Sequence, residues 1–314
     1  MSSKIPVPVT TCQRRNRPLG LPRRAAAAGG ALLAFAGWAL PASGQQPGVP
    51  WVTLLPPTVR SAGLAGASTA LVGDAGTVFV NAAGLATVRR ASLEGMAAWL
   101  PDPVRQTSIA GAVRVGQFHV AAGYQHLSLA EGAPQEDNTV LVGSAVYRFG
   151  IFAFSGSVKK VTVRDSAAVT SSAVTGDASA IIAIFDIFAL SVSVQNIGQP
   201  ELTQGMVLPA TTRFGSSLNL VDPQGTTRLL GTIEVVWTEG FDSRTIIAGE
   251  AGLVIDGIGV EARLGYGGQG PLTGQSNWSV GGTVVLGPVD IDYAYQEESV
   301  FGSGAHRLGV RLTL

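Results

Sequence analysis

Residues 289–314 read VDIDYAYQEESVFGSGAHRLGVRLTL, and this stretch decides the fold class. From 308 to 314 every second residue is leucine or valine, and the residues between them are polar or small. From 289 to 295 every second residue is valine, isoleucine or tyrosine, with Asp290 and Asp292 between them. Successive side chains of a β-strand point to opposite faces of its sheet, so this pattern predicts two strands, each with one apolar and one polar face.

The same alternation recurs through most of the chain before this stretch. It predicts fourteen strands, over residues 91–99, 105–115, 118–128, 138–149, 151–163, 178–185, 188–196, 210–220, 227–238, 243–255, 258–267, 276–286, 288–298 and 305–314. Nowhere after residue 44 does the sequence offer the roughly 18 consecutive apolar residues that a membrane-spanning helix needs.

Two all-β architectures are compatible with such strands. In a soluble sandwich the apolar faces meet each other, whereas in a transmembrane barrel they face lipid and the polar faces line the lumen. The even strand number favours the barrel, as does a strand length of about ten residues, which crosses a bilayer at a tilt. Tight turns such as Asp256-Gly257 also alternate with longer connections at 129–137, 164–177 and 197–209. We therefore expect an all-β fold, a transmembrane antiparallel β-barrel of about 14 strands, over residues 91–314.

The composition supports a membrane protein over a soluble one. The 314-residue chain is 46% hydrophobic but only 13% charged, with 21 basic and 21 acidic residues. Soluble domains carry about 25% charged residues. The balance of charges also excludes a strongly basic nucleic-acid-binding protein and an acidic disordered chain.

The beginning of the chain has the features of an export signal. Residues 1–44 contain six basic residues and no acidic residue, and 25–40 form a short, mostly apolar stretch. Small residues, Ala42 and Gly44, stand at the −3 and −1 positions of a cleavage site before Gln45. The pattern predicts a signal peptide over residues 1–44 and, together with the barrel, localisation in the bacterial outer membrane.

Residues 45–90 lack the alternation and are rich in small, uncharged side chains. Such side chains allow close packing inside a narrow enclosure. We expect this segment to form a partly helical plug in the barrel lumen.

Part of this segment resembles a known family. Residues 60–86 resemble the N-terminal signature of the PorV/PorQ family, which is itself similar to the FadL-type transporters of hydrophobic compounds. The matching positions are Gly63, Gly66, Asp74, Asn81 and Gly84, although the chain has Asn-Ala-Ala-Gly-Leu at 81–85 where the family usually has Asn-Pro-Ala-Gly-Leu. The resemblance implies a fourteen-stranded barrel with an N-terminal plug, which agrees with the independent strand count.

Charged residues at the polar positions of the predicted strands are expected to point into the lumen. They are Arg114, Arg148, Lys159, Arg213, Glu234, Glu250, Glu261, Arg263, Asp290, Asp292, Arg307 and Arg311. Opposite charges fall on adjacent strands, with Asp290 and Asp292 beside Arg307 and Arg311, and with Glu250 and Glu261 near Arg263. These groups are interpreted either as structural salt bridges that brace a filled interior or as a selective polar path.

Catalytic patterns are weak in this sequence. His119 and His126 fall on opposite faces of one predicted strand, so they cannot share a lumenal site. The acidic residues Glu131, Glu136 and Asp137 are interpreted as a solvated loop. We expect no enzymatic activity, no cofactor and no metal site.

Two functions follow from the resemblance. The first is an outer-membrane component that assists type IX secretion, with exported proteins or the secretion machinery as partners. The alternative is a FadL-like transporter whose partner is a hydrophobic small molecule. Outer-membrane lipid is a partner in both interpretations, and nucleic acid in neither.

Overall fold

The computed structural model describes residues 48–100, 103–184, 187–202, 205–220, 226–268, 270, 275–298 and 303–314. The predicted signal peptide at 1–44 lies outside these residues. Fourteen antiparallel strands form a closed barrel, and residues 48–90 contact its inner wall.

Sixteen strands are present in the described residues, fourteen in the barrel and two in a small hairpin. They are β1 (Ala91–Trp99), β2 (Arg105–Val115), β3 (Phe118–Ser128), β4 (Asp137–Phe149), β5 (Phe152–Arg164), β6 (Thr170–Ile184), β7 (Phe188–Ile197), β8 (Glu201–Leu202), β9 (Met206–Val207), β10 (Thr211–Asn219), β11 (Thr227–Thr238), β12 (Arg244–Ile255), β13 (Ile258–Gly267), β14 (Gln275–Leu286), β15 (Val289–Glu298) and β16 (Ser303–Thr313). Neighbours in sequence pair around the barrel, β10 pairs with β7, and β1 pairs with β16 to close it.

The prediction of a fourteen-stranded barrel is confirmed, and two of the predicted loops are shorter. β6 begins at Thr170, so the predicted 164–177 loop is wrong from that residue onward. Residues 170–177 are rich in serine and threonine and lack the apolar face on which the prediction depended. In the predicted 197–209 loop, β8 and β9 pair with each other, and Met206 also bridges to Gly48.

The two ends of the barrel differ in their connections. At the short-turn end, two residues join β2 to β3, β4 to β5, β12 to β13 and β14 to β15. In the β12–β13 turn, Asp256 and Gly257 have φ values of 52° and 79°, the left-handed pair that suits the twist of a two-residue hairpin. The other end, which we call the long-loop end, carries 129–136, 165–169 and the β8–β9 hairpin.

The outer wall of the barrel is apolar. Exposed large hydrophobic residues occupy the outward positions of every barrel strand, and Leu141, Ile247 and Val310 are each more than half exposed, at 56%, 58% and 51%. An exposed apolar surface of this extent requires a hydrocarbon solvent. Among the described residues, no helix is long and apolar enough to span a membrane.

Candidate functional site in the barrel lumen

Residues 48–90, which we call the plug, run from one end of the lumen to the other. Gly48 meets the β8–β9 hairpin at the long-loop end, and Arg90 leads into β1 at the short-turn end. The plug contains one helix, α1 (Val59–Gly63), and 3-10 turns at Trp51–Thr53, Ala75–Phe79 and Ala82–Thr87. With so little regular structure, many of its peptide groups need partners outside the plug.

Side chains of the barrel wall are the hydrogen-bond partners of the plug carbonyl groups. They donate hydrogen bonds as follows: Gln106 to the Pro56 oxygen at 2.9 Å, Ser108 to Pro57 at 2.6 Å, Gln125 to Val52 at 3.2 Å, Gln195 to Phe79 at 2.9 Å, Ser193 to Val80 at 2.6 Å and Ser217 to Ala70 at 2.9 Å. These contacts come from four strands, β2, β3, β7 and β10, so the wall holds the plug along most of its length.

Wall oxygens likewise accept hydrogen bonds from plug amides. The Ser279 hydroxyl accepts from Ala65 N at 2.6 Å, and Glu94 accepts from Gly76 N at 2.9 Å. Glu234, which is 1% exposed, accepts from the amides of Ser68 and Thr69 at 2.8 and 2.9 Å. Its other oxygen receives Arg213 at 2.7 Å, so both oxygens of this buried carboxylate are satisfied.

Asn81 joins two plug segments to the wall. Its Oδ1 accepts from Ala83 N at 3.1 Å at the start of the Ala82–Thr87 turn. Its Nδ2 donates to the Thr69 carbonyl and, at 2.6 Å, to the Ser191 hydroxyl on β7. These bonds pin the backbone even though Ala82 stands where the PorV/PorQ pattern has proline.

Three glycines of the predicted signature lie at close backbone approaches or turns. A Cβ added to Gly84 would lie 2.6 Å from the Leu71 oxygen, and one on Gly63 would lie 3.3 Å from the Cα of Gly281 on β14. Gly66 has a φ of +91°, which disfavours any side chain. At these positions the plug has no room, or no backbone freedom, for a larger residue.

A network of ion pairs lies in the short-turn half of the lumen, on the side formed by β12 to β16. Arg60 of α1 binds Glu250 with two hydrogen bonds of 2.7 and 2.6 Å and binds Asp74 at 2.5 Å. Arg311 bridges Asp74, at 2.9 Å, and Asp290, at 2.7 Å. Arg60 and Asp74 belong to the plug, so the network connects the plug to β12, β15 and β16.

Arg263 extends this network across the wall. It donates to Glu250 at 2.7 Å and to Asp292 at 2.8 Å, and Glu261 lies 3.5 Å away. Asp290 therefore lies beside Arg311 as the sequence suggested, whereas Asp292 binds Arg263. Arg307 is fully buried on the inward face of β16.

The arginines around Asp74 change its titration. Burial alone would raise the pKa of the Asp74 carboxyl, but Arg311 and Arg60 hold that pKa below its usual range. Because the folded pKa is lower than that of the unfolded chain, the carboxylate stabilises the fold at neutral pH. This stabilisation is lost as the pH falls through the lowered pKa.

The remaining predicted lumenal cations lie outside this network. Lys159 pairs with Asp177 at 2.8 Å in the interior. Arg114 and Arg148 are exposed at the short-turn end, where Arg148 donates to the Ala86 carbonyl at 3.0 Å.

Sequence reasoning missed the role of Arg60 in the network, the hydrogen bond that Glu94 accepts from the plug, and the neutral hydrogen-bonding residues. The parity of the strands already places Gln106 and Ser108 on the lumenal side, so the signal was present for them. Among the described residues, no group of three His, Cys, Asp or Glu side chains is arranged to hold a metal ion.

A cavity of about 250 Å³ remains between the plug and the wall on the long-loop side of the lumen. Its lining includes Leu55 and Phe79 from the plug and Val236 and Ile246 from the wall. Arg244 also lines it and donates to the carbonyls of Gly268 and Ala65, each at 2.9 Å. The cavity is thus lined by both apolar and polar side chains, and the charged ones include Lys159, Arg213, Asp242 and Arg244.

Comparisons with solved structures identify the fold. The chain resembles the toluene transporter TbuX of Ralstonia pickettii, with a TM-score of 0.55, 10% identity, and coverage of 84% of this chain and 99% of that one. For a Pseudomonas aeruginosa FadL homologue, the TM-score is 0.53, the identity 12%, and the coverage 88% and 100%. The chain has the FadL-type fold. The P. putida toluene transporter TodX shares this FadL-type fold at a TM-score of 0.56 and 10% identity, over 84% of this chain and 99% of that one.

No protein-family model and no curated protein matches the chain. Sequence identities of 10–12% to these structures support the FadL-type fold and no finer assignment.

We expect the close approach of plug and wall at Gly265 to be sensitive to a single methyl group. A Cβ there would lie 2.3 Å from the Leu64 carbonyl carbon, which is backbone and cannot rotate away. Gly265→Ala should lower the free energy of unfolding in urea by about 1–3 kcal/mol. Gly143→Ala is the matched control, because nothing lies within 4 Å of that position. Equal unfolding midpoints for the two variants would contradict the close contact.

The ion network gives a second expectation. Asp74→Asn leaves Arg60 and Arg311 with one fewer carboxylate in the lumen, so the free energy of unfolding should fall by about 3–5 kcal/mol. The control is Asp137→Asn, which removes a half-exposed partner of Arg164 and should cost less than about 1 kcal/mol. Urea titrations of both variants in the same detergent measure the difference, and a smaller effect for Asp74→Asn would refute the bracing role.

Proposed function

We propose that the protein is an outer-membrane transporter that carries small hydrophobic compounds. The observation that carries the proposal is the partly apolar cavity between plug and wall, inside a barrel of FadL type. Two of the structural neighbours, TbuX and TodX, are toluene transporters, which supports the same class of cargo. The apolar outer wall and the predicted signal peptide support an outer-membrane location.

The size of the cavity favours a small ligand. Its volume of about 250 Å³ lies just below the range of roughly 300–1,000 Å³ typical of drug-sized sites. Long or bulky compounds would not fit without movement of the plug. Val236 and Ile246 supply apolar contact, while Arg244 and Gln195 can orient a polar substituent.

Passage along the lumen requires part of the plug to move. At the long-loop end, Val52 and Leu55 pack in an apolar cluster with Leu127, Val161 and Leu208. At the short-turn end the ion network joins plug and wall. The described conformation is therefore a closed one, and the bonds that hold the plug set the free energy needed to open it.

We expect a bulky residue in the cavity to slow transport. Val236→Trp would fill the space beside the plug, so the initial rate of uptake of a radiolabelled monoaromatic hydrocarbon by cells expressing the variant should fall several-fold. Val235→Trp is the matched control, because Val235 is the preceding residue of β11 and its side chain faces outward. Uptake should stay at the wild-type rate in this control.

Two outcomes would contradict the transport proposal. One is uptake by wild-type cells that does not exceed uptake by cells lacking the protein. The other is an equal rate for the two tryptophan variants, with both present in the outer membrane at wild-type levels.

The secretion role implied by the PorV/PorQ resemblance is the second candidate. It rests on residues 60–86 and on loops that could bind a partner. Two of those loops, 164–177 and 197–209, are shortened by β6 and by the β8–β9 hairpin, so they offer less surface than the sequence suggested. Deleting the gene and assaying both the surface display of exported proteins and hydrocarbon uptake discriminates the two. Lost display with unchanged uptake would favour secretion.

A further inference from the structure

The outer wall carries its basic residues on one arc only. In the described strands, every outward-facing lysine or arginine lies between β2 and β5, and these residues are Arg105, Lys160 and Arg164. The outward positions of β10 to β14 hold no charged residue among those described. A localised charge on a lipid-facing wall is costly unless it meets a partner.

Strand register shows that Lys160 lies where the apolar band ends. The row of outward residues that contains it runs Ile109, Tyr124, Leu141, Lys160, Val174. The next row towards the long-loop end is polar and runs Thr107, His126, Thr139, Thr162, Ser172. Lys160 is thus the last group facing hydrocarbon, directly below a belt of hydroxyl and imidazole groups.

The charges near this belt leave Lys160 without an internal counter-ion. Arg164 pairs with Asp137 and lies 3.7 Å from Glu136, and His126 lies 3.3 Å from Asp137. Both carboxylates are thereby engaged by other groups. Lys160 itself is exposed and forms no ion pair with any described residue.

We propose that this outward patch, with Lys160 at its centre, binds the phosphorylated headgroup of an anionic lipid in the leaflet at the long-loop end. A lysine at the edge of the apolar band can extend its flexible stem towards the interface, where a phosphate oxygen accepts its hydrogen bonds. The hydroxyls of Thr139 and Thr162 in the neighbouring row add donors to the same headgroup. The patch lies on the outside of the barrel, so it is independent of transport through the lumen.

The test measures lipid binding by the purified full-length protein. Native mass spectrometry from detergent micelles gives dissociation constants for lipid A, which carries phosphomonoesters, and for phosphatidylcholine, which is zwitterionic. The wild type should bind lipid A more tightly. Lys160→Gln should weaken lipid A binding by roughly tenfold, as expected for the loss of one charge-assisted hydrogen bond, while Lys160→Arg should retain it.

Lys159→Gln is the matched control, because it removes the neighbouring lysine from the inner face of the same strand. It should bind lipid A like the wild type, and gel mobility before and after heating verifies that each variant is folded. If Lys159→Gln does not fold, Glu297→Gln replaces it, because Glu297 is an exposed charged residue on β15, away from the arc. The proposal fails if Lys160→Gln binds lipid A as tightly as the wild type, or if the wild type shows no preference for lipid A over phosphatidylcholine.

Discussion

The requirement that peptide groups in a closed lumen find hydrogen-bond partners governs this structure. The plug contains only one short helix and a few 3-10 turns, so it cannot satisfy its own backbone. Serine, glutamine and glutamate side chains on the inner wall do so instead, as Ser108 and Gln195 illustrate. The polar face of the strands is therefore a binding surface for the plug.

Charged and apolar side chains occupy different parts of the lumen. One apolar cluster lies in the long-loop half, and another, which includes Val146 and Ile181, lies on the β2–β7 side of the short-turn half. The network around Arg60, Arg263 and Arg311 lies on the β12–β16 side of the short-turn half. Buried ion pairs contribute little net stability compared with apolar packing, but removing one partner is costly. Such a network fixes the position of the plug more than it adds to the stability of the barrel. The cavity lies outside this network, on the long-loop side of the lumen.

The alternation of apolar and polar residues was sufficient to predict the barrel, since one face of each strand contacts lipid and the other faces the lumen. It failed at 170–177, where serine and threonine interrupt the alternation over the first eight residues of β6. The partners of the lumenal charges could be predicted only between adjacent strands. Arg60 and Glu250 are separated by 190 positions, and no local pattern indicates that they meet. Asn81 and Gly84, two positions of the resemblance over residues 60–86, lie in turns of the plug.

The central claim is that the plug, held by the wall, closes the lumen. Single-channel recording of the purified protein in planar bilayers tests it most directly, with flotation of the protein in liposomes as the check that it inserts. A barrel closed by its plug should show no stable, discrete conductance steps at low voltage, even though the bilayer contains many inserted copies. Steady steps of the size expected for an open fourteen-stranded pore would contradict the account.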